Sequence, residues 1–200
     1  MNVITVTKLT ALCIIALLIF AGCDQQQGMS GRNEGQTNAQ PRATNTLASQ
    51  EEALRAVANL KPTQGNEAQG TVTFAKVEDG VRVVADITGL TPGEHGFHIH
   101  EHGDCSAPDA SSAGGHFNPT GMPHGGPDAA QHHLGDLGNI TANPTGKAHL
   151  DRVFSFLELS GPNSIVGRGL VVHSGRDDLT SQPSGDAGAR VACARIELKE

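Results

Sequence analysis

The chain has 200 residues, a formal net charge of −7, and 25 glycines beside 10 prolines. That length allows one domain with tails, and the acidic balance argues against nucleic acid as a general partner while leaving room for a local positive site. With no tryptophan or tyrosine and only 6 phenylalanines, an interior must be assembled mainly from Val, Ile, Leu and Ala, and the abundance of turn formers favours short strands over long helices.

In chain order, the first element is a processing signal. Lys8 precedes an apolar run from Leu9 to Phe20, too short for a convincing membrane span and fitting a cleaved export signal over residues 1–22. Ala21, Gly22 and Cys23 resemble a bacterial lipobox, in which Cys23 becomes the lipidated first residue; Phe20 stands where leucine is usual. A plain secretory signal is the alternative. Asp24 in the next position resembles a signal for retention in the inner membrane. The expected location is an exported, membrane-anchored lipoprotein facing the periplasm or the cell exterior. Cysteine usage agrees: Cys13 leaves with the signal, Cys23 takes lipid, and Cys105 and Cys193 remain as one pair in an oxidising compartment.

Residues 23–54 form the lipidated cysteine and a polar tether rich in Gln, Asn, Gly, Ser and Thr, with a reach of roughly 25–30 Å. Within it, Leu47 to Arg55 has a weak helical signature, with Ser49 as N-cap and Glu52 three residues on. The domain proper is expected over residues 55–200, and its pattern is β. Strands are predicted at Ala56–Leu60, Gly70–Lys76, Val81–Ile87, Glu94–Glu101, Gly138–Ala142, Ala148–Phe154, Gly169–His173 and Val191–Leu198, with turn signals such as Lys61-Pro62 and Asp79-Gly80 between them. Eight short strands indicate an all-β antiparallel barrel or sandwich. The segment from His102 to Leu137 has almost no periodicity. A loop that long in a compact domain is usually functional or disordered.

Histidines explain how it could be ordered. All ten lie between His95 and His173, mostly in glycine-rich surroundings. Residues two apart on a strand share a face, so His98 and His100 aim together, and His173 ends a strand that can meet them. With one further shared histidine these suit square-planar copper(II). His124, His133 and Asp136, completed by His116, suit a closed four-ligand zinc site. His132 is the rival to His133. His95, His102 and His149 read as ordinary barrel or surface histidines, and Arg176 as a surface charge that could assist anion attraction.

The motifs GFHIHEHGDC, SAGGHFNP, HGGP, HLGDLGN, LSGPNSIVGRGLVVH and GARVACARI together resemble the copper–zinc superoxide dismutase family, in order and in spacing, from about Arg55 to the C-terminus. The resemblance implies an eight-stranded Greek-key β-barrel (an immunoglobulin-like sandwich) with long metal-binding loops. It implies one copper per chain on His98, His100, His116 and His173, and one zinc on His116, His124, His133 and Asp136, with His116 as the bridge. It assigns Asp177 as the carboxylate linking a copper histidine to a zinc histidine, with Asp178 as rival. It assigns Arg190 as the residue that draws superoxide, a small anionic substrate, to copper, and Cys105 with Cys193 as the disulfide behind that arginine. The implied reaction is dismutation of superoxide to oxygen and hydrogen peroxide, with Arg190 and His116 as the catalytic side chains. A copper-storage or purely structural domain is the competing reading, and such relatives usually lack a copper ligand or the arginine. A homodimer is compatible with the family, whose members also include monomers. Two departures stand out. Cys105 directly follows Gly103-Asp104, which resembles the bacterial arrangement. The segment from His173 to Arg190 is short and lacks a Glu/Lys-rich stretch, with Ser184 about where a threonine borders the channel.

Overall fold

A computed structural model describes residues 54–199. The export signal, Cys23, most of the tether and the expected helix from Leu47 lie outside these residues, except that Arg55 opens the first strand rather than closing a helix.

Among the described residues nine strands appear: β1 (Arg55–Pro62), β2 (Gln69–Val77), β3 (Gly80–Thr88), β4 (Gly93–His100), β5 (Asp136–Ala142), β6 (Ala148–Phe154), β7 (Gly169–His173), β8 (Arg190–Arg195) and β9 (Glu197–Leu198). The expected last strand is thus divided: Ile196 turns fully into the core, and the chain re-pairs with β1 through only two residues. All strand pairings are antiparallel, in the order β2-β3-β6-β5-β4-β7-β8-β1, and β1 also pairs with β2, which closes the barrel. β3 and β4 are consecutive in the chain yet separated in the sheet by β6 and β5. The connection from β6 to β7 likewise passes over β5 and β4. These crossings are the Greek-key connectivity.

Alternation builds the interior. Ala56, Ala58 and Leu60 of β1, Val72 and Phe74 of β2, and Val81, Val83, Ala85 and Ile87 of β3 all point inward and are buried. Their neighbours Arg82 and Asp86 are exposed. Each fully buried Val, Leu, Ile or Phe stabilises the fold by roughly 1.5–3 kcal/mol relative to exposure. β4 is different. Phe97 and Ile99 enter the barrel core, but His98 and His100 on the opposite face are equally buried, because loops cover that side.

One glycine lets this cover approach. The main chain of Ile99 is bonded to Gly135 (N to O, 2.8 Å) and to Phe117 (O from N, 2.8 Å). A Cβ on Gly135 would overlap the Ile99 carbonyl, so only glycine brings the loop this close. An isolated bridge pairs His100 with His116, and Asp136, the first residue of β5, lies opposite His98 on β4. The barrel therefore sets the register of the site.

Candidate metal centre

Two groups of four buried side chains share one member. His98, His100, His116 and His173 form the first, and His116, His124, His133 and Asp136 the second; within each group one donor atom per residue lies within 4.8 Å of the others. These are the seven residues that the sequence motifs single out, and the fold brings all of them together.

In the first group, backbone and carboxylate acceptors use up one nitrogen of each strand-borne ring. His98 Nε2 donates to Asp177 Oδ2 (2.7 Å), His100 Nδ1 to the Gly114 carbonyl (3.0 Å) and His173 Nδ1 to the Gly188 carbonyl (3.1 Å). The other nitrogens are thereby left unprotonated and directed inward: His98 Nδ1 is buried with no partner, and His100 Nε2 stands 3.4 Å from His173 Nε2. Fixing one ring nitrogen so that the other can ligate is the usual arrangement around a metal histidine.

In the second group, Asp136 Oδ1 has three ring nitrogens around it: Nδ1 of His116 at 2.7 Å, of His124 at 3.0 Å and of His133 at 3.3 Å. Only the His116 contact has hydrogen-bond geometry; Nδ1 of His124 and of His133 are buried and partnerless, as is Nε2 of His116. Tetrahedral zinc with bonds of ~2.0–2.1 Å holds its donors about 3.3 Å apart, so three imidazole nitrogens and a carboxylate oxygen at these separations fit the ion. Asp136 Oδ2 is held by the main-chain N–H groups of His133 (2.8 Å) and Gly125 (3.2 Å). Four buried nitrogens without partners would be costly in a domain that held nothing there.

Asp177 joins the two groups. It is fully buried, accepts from His98 through Oδ2 and from His124 Nε2 through Oδ1 (3.0 Å). Asp178 makes neither bond and instead accepts from Thr180 and Ser181 in its own loop. Asn139 holds Asp177 in place: its Oδ1 accepts from the Asp177 N–H (2.8 Å) and its Nδ2 donates to the Asp177 carbonyl (2.9 Å). Asn139 was visible only as the last letter of HLGDLGN, with nothing to mark its role.

The ring electrostatics divide the same way. Burial pushes His98 down to about 4 and His173 to about 3, and lowers His100 well below the ordinary histidine range. Burial also lowers His133. His124 moves the other way: burial opposes its charge, but the adjacent carboxylates of Asp136 and Asp177 outweigh it and raise it to about 9. Both carboxyls are held below the usual range; burial works against this, and the histidine hydrogen bonds prevail.

Arg190, at the start of β8, is half-buried and donates to the carbonyls of Ala110 and Gly114, each at 2.5 Å. The Gly114 carbonyl therefore serves both the arginine and His100. The disulfide Cys105–Cys193, with Cα atoms 5.9 Å apart, ties the loop bearing these carbonyls to β8. Ala110, Ala113, Val171 and Cys193 pack beneath it as a small apolar cluster. Thr63 Oγ1 adds a bond to the Arg190 carbonyl (2.8 Å). Ser184 is half-buried next to Gly185, which covers the Asp177–His124 bond.

The other histidines take no part in either group. His95 is buried between the carbonyls of His173 and Thr91, His132 lies against Phe156, His102 is exposed, and His149 pairs with Asp86 at the surface. Arg176 is paired with Glu94 at 2.9 Å, which offsets its charge.

Two groups that could each hold a metal thus sit on a Greek-key barrel, and comparison with known proteins identifies the class. The chain belongs to the copper/zinc superoxide dismutase (SODC) family, whose profile matches residues 68–196. It is 43% identical over 152 residues to an extracellular superoxide dismutase [Cu-Zn] of Brugia pahangi, covering 72% of this chain and 75% of that one. A crystal structure of the clock protein EA4 superposes with a TM-score of 0.67 at 42% identity, covering 74% of this chain and 96% of the other. The chain is accordingly a superoxide dismutase with copper and zinc as its metals.

Proposed function

We propose that the protein dismutes superoxide at a copper held by His98, His100, His116 and His173 and joined through His116 to a structural zinc held by His116, His124, His133 and Asp136. The observation that carries this is the set of four buried, partnerless ring nitrogens in two groups that share His116. Copper, when bound, supplies the one-electron couple that lets one superoxide become oxygen and a second become peroxide, while zinc, with no redox chemistry, supplies charge and geometry.

The chain's own groups do the rest. Arg190, held by two carbonyls at the edge of the first group, attracts the anion and keeps its charge at any working pH. His116 Nε2 is free to hold a proton in one half of the cycle and hand it to the departing peroxide, while Asp136 at Nδ1 keeps the ring in line. Asp177 orients His98 and His124 from a single carboxylate, so both sets close together.

The test is reconstitution of the metal-free protein followed by elemental analysis and a direct superoxide-decay assay. One copper and one zinc per chain with fast decay supports the reading; saturation with a single metal overturns it.

We further infer that the protein is exported and carries lipid on Cys23, as a lipoprotein of the bacterial type facing a periplasm or the cell exterior. The lipobox-like residues before Cys23, the disulfide and the resemblance to an extracellular relative support this. Firm anchoring needs more than one acyl chain. Cys23→Ser should yield precursor or a soluble form; unchanged membrane attachment would reject the anchor. A homodimer remains compatible with this reading, and sedimentation of the purified protein decides it.

A further inference from the structure

His124 lies outside any strand or helix, yet its Nδ1 stands 3.0 Å from Asp136 Oδ1. Its main-chain N–H and C=O are both taken by one side chain. Gln182 Oε1 accepts from the His124 N–H (2.9 Å), and Gln182 Nε2 donates to the His124 carbonyl (2.9 Å). A main-chain N–H can only donate and a carbonyl only accept, so the two partners dictate the orientation of the carboxamide. No carboxylate or hydrocarbon of the same length can match both.

The loop carrying Gln182 is itself braced. Asp178 accepts from the N–H groups of Thr180 (2.9 Å) and Ser181 (2.7 Å), the Asp178 N–H donates to the Gly185 carbonyl (2.9 Å), and Gln182 Nε2 also reaches the Thr180 carbonyl (3.1 Å). The same loop closes over the ring end of His124. A Cβ added to Gly185, whose φ is +72°, would overlap Asp177 Oδ1 and stand 2.6 Å from His124 Nε2.

We propose that Gln182 is a positioning residue for the zinc set: its carboxamide clamps the main chain of His124 while Asp177 holds the ring. The short loop after β7 thereby governs how tightly the second group closes. This rests on the reading of His124 as a zinc ligand. On the copper side the main chains of His98, His100 and His173 are set by the β4 and β7 ladders rather than by Gln182, although Asp177 and Gly188 of the same loop accept from the His98 and His173 rings.

The test uses the full chain with Gln182→Met, which keeps the length and removes both bonds, and Gln182→Glu, which keeps only the acceptor. Zinc affinity is read by chelator competition, copper affinity in parallel, and main-chain exchange at His124 by NMR on the metal-free protein. Gln182→Met should weaken zinc roughly tenfold, the equivalent of one net hydrogen bond, leave copper within about twofold on the same scale, and speed exchange at the His124 amide. Gln182→Glu should fall between Gln182→Met and wild type in zinc affinity and keep most of the amide protection. Unchanged zinc affinity and exchange would overturn the proposal, as would equal losses of zinc and copper, which signal general loosening. A wild-type chain that takes no zinc would overturn the zinc assignment and the proposal with it; that failure is told apart because exchange at His124 would still respond to Gln182.

Discussion

The two halves of the metal centre are built by different means. His98, His100 and His173 come from β4 and β7, where strand period and ladder bonds set the position of their main chains. His124, His133 and Asp136 come from the irregular segment between β4 and β5 and from the first residue of β5, and they are placed by side chain-to-main chain bonds: Gln182 to His124, and Asp136 Oδ2 to His133 and Gly125. The strand-borne half is thus positioned by the fold, and the loop-borne half by the polar network that its own residues complete.

The sharpest way to break this distinction is to remove what the halves share. His116→Ala should cost both metals and abolish most of the dismutation, by elemental analysis and superoxide decay. Asp177→Asn, which can still accept but carries no charge, should cost on the order of 10–100-fold in metal affinity, more for zinc than for copper. Equal losses would mean that the sheet does not support the copper side independently.

Replacing Cys105 and Cys193 together by serine tests the loop behind Arg190. The bond spans 88 residues, and the chain-entropy account gives about 4–5 kcal/mol for a loop of that size. Thermal unfolding should shift accordingly, and the superoxide rate should fall as Arg190 loses its carbonyls. Arg190→Glu should leave both metals in place and lower the second-order rate by roughly 10–10³-fold, with its salt dependence reversed in sign. Equal rates for wild type and this variant would leave the arginine a structural role only.

A smaller effect separates the halves by pH in the metal-free protein. His98 and His173 titrate at about 4 and about 3, below their unfolded value of about 6.5. Their contribution to stability is present above that value and is lost as pH falls from about 6.5 through about 4 and 3. His124, raised to about 9, contributes stability that is full below about 6.5 and lost as pH rises through about 9. Melting temperatures across pH should therefore decline on both sides, with His98→Ala flattening the acid limb and His124→Ala the alkaline one. Smallest of all, His149→Ala should change neither metal, since that ring pairs with Asp86 at the surface.

The strand-borne half was the more legible in the sequence, because strand period places its residues. His98 and His100 announce a shared face by their spacing, and Phe97 and Ile99 announce the opposite one. The loop histidines were legible only through their family-like motifs, because no periodicity places them. What supports them was not legible at all: nothing in Ser181-Gln182-Pro183 marks an amide that reaches 58 residues back along the chain, and Asn139 looks like any polar residue of a strand. The division of the last strand at Ile196 was missed because Val191–Leu198 alternates smoothly enough to pass for one run; Ile196 keeps the inward face of Ala192 and Ala194, but its main chain bonds to Gly167 and Arg168 of a loop instead of to a strand.

For anyone wishing to rebuild this enzyme, the Gly114 carbonyl has a practical meaning. It accepts from His100 on one side and from Arg190 on the other, so the ring proposed for copper and the charge proposed to gather superoxide hang from one peptide. An insertion between Ala110 and His116 would displace His116 and the carbonyls that hold the His100 ring and Arg190 in a single move, so redesign around Arg190 has to leave that stretch alone.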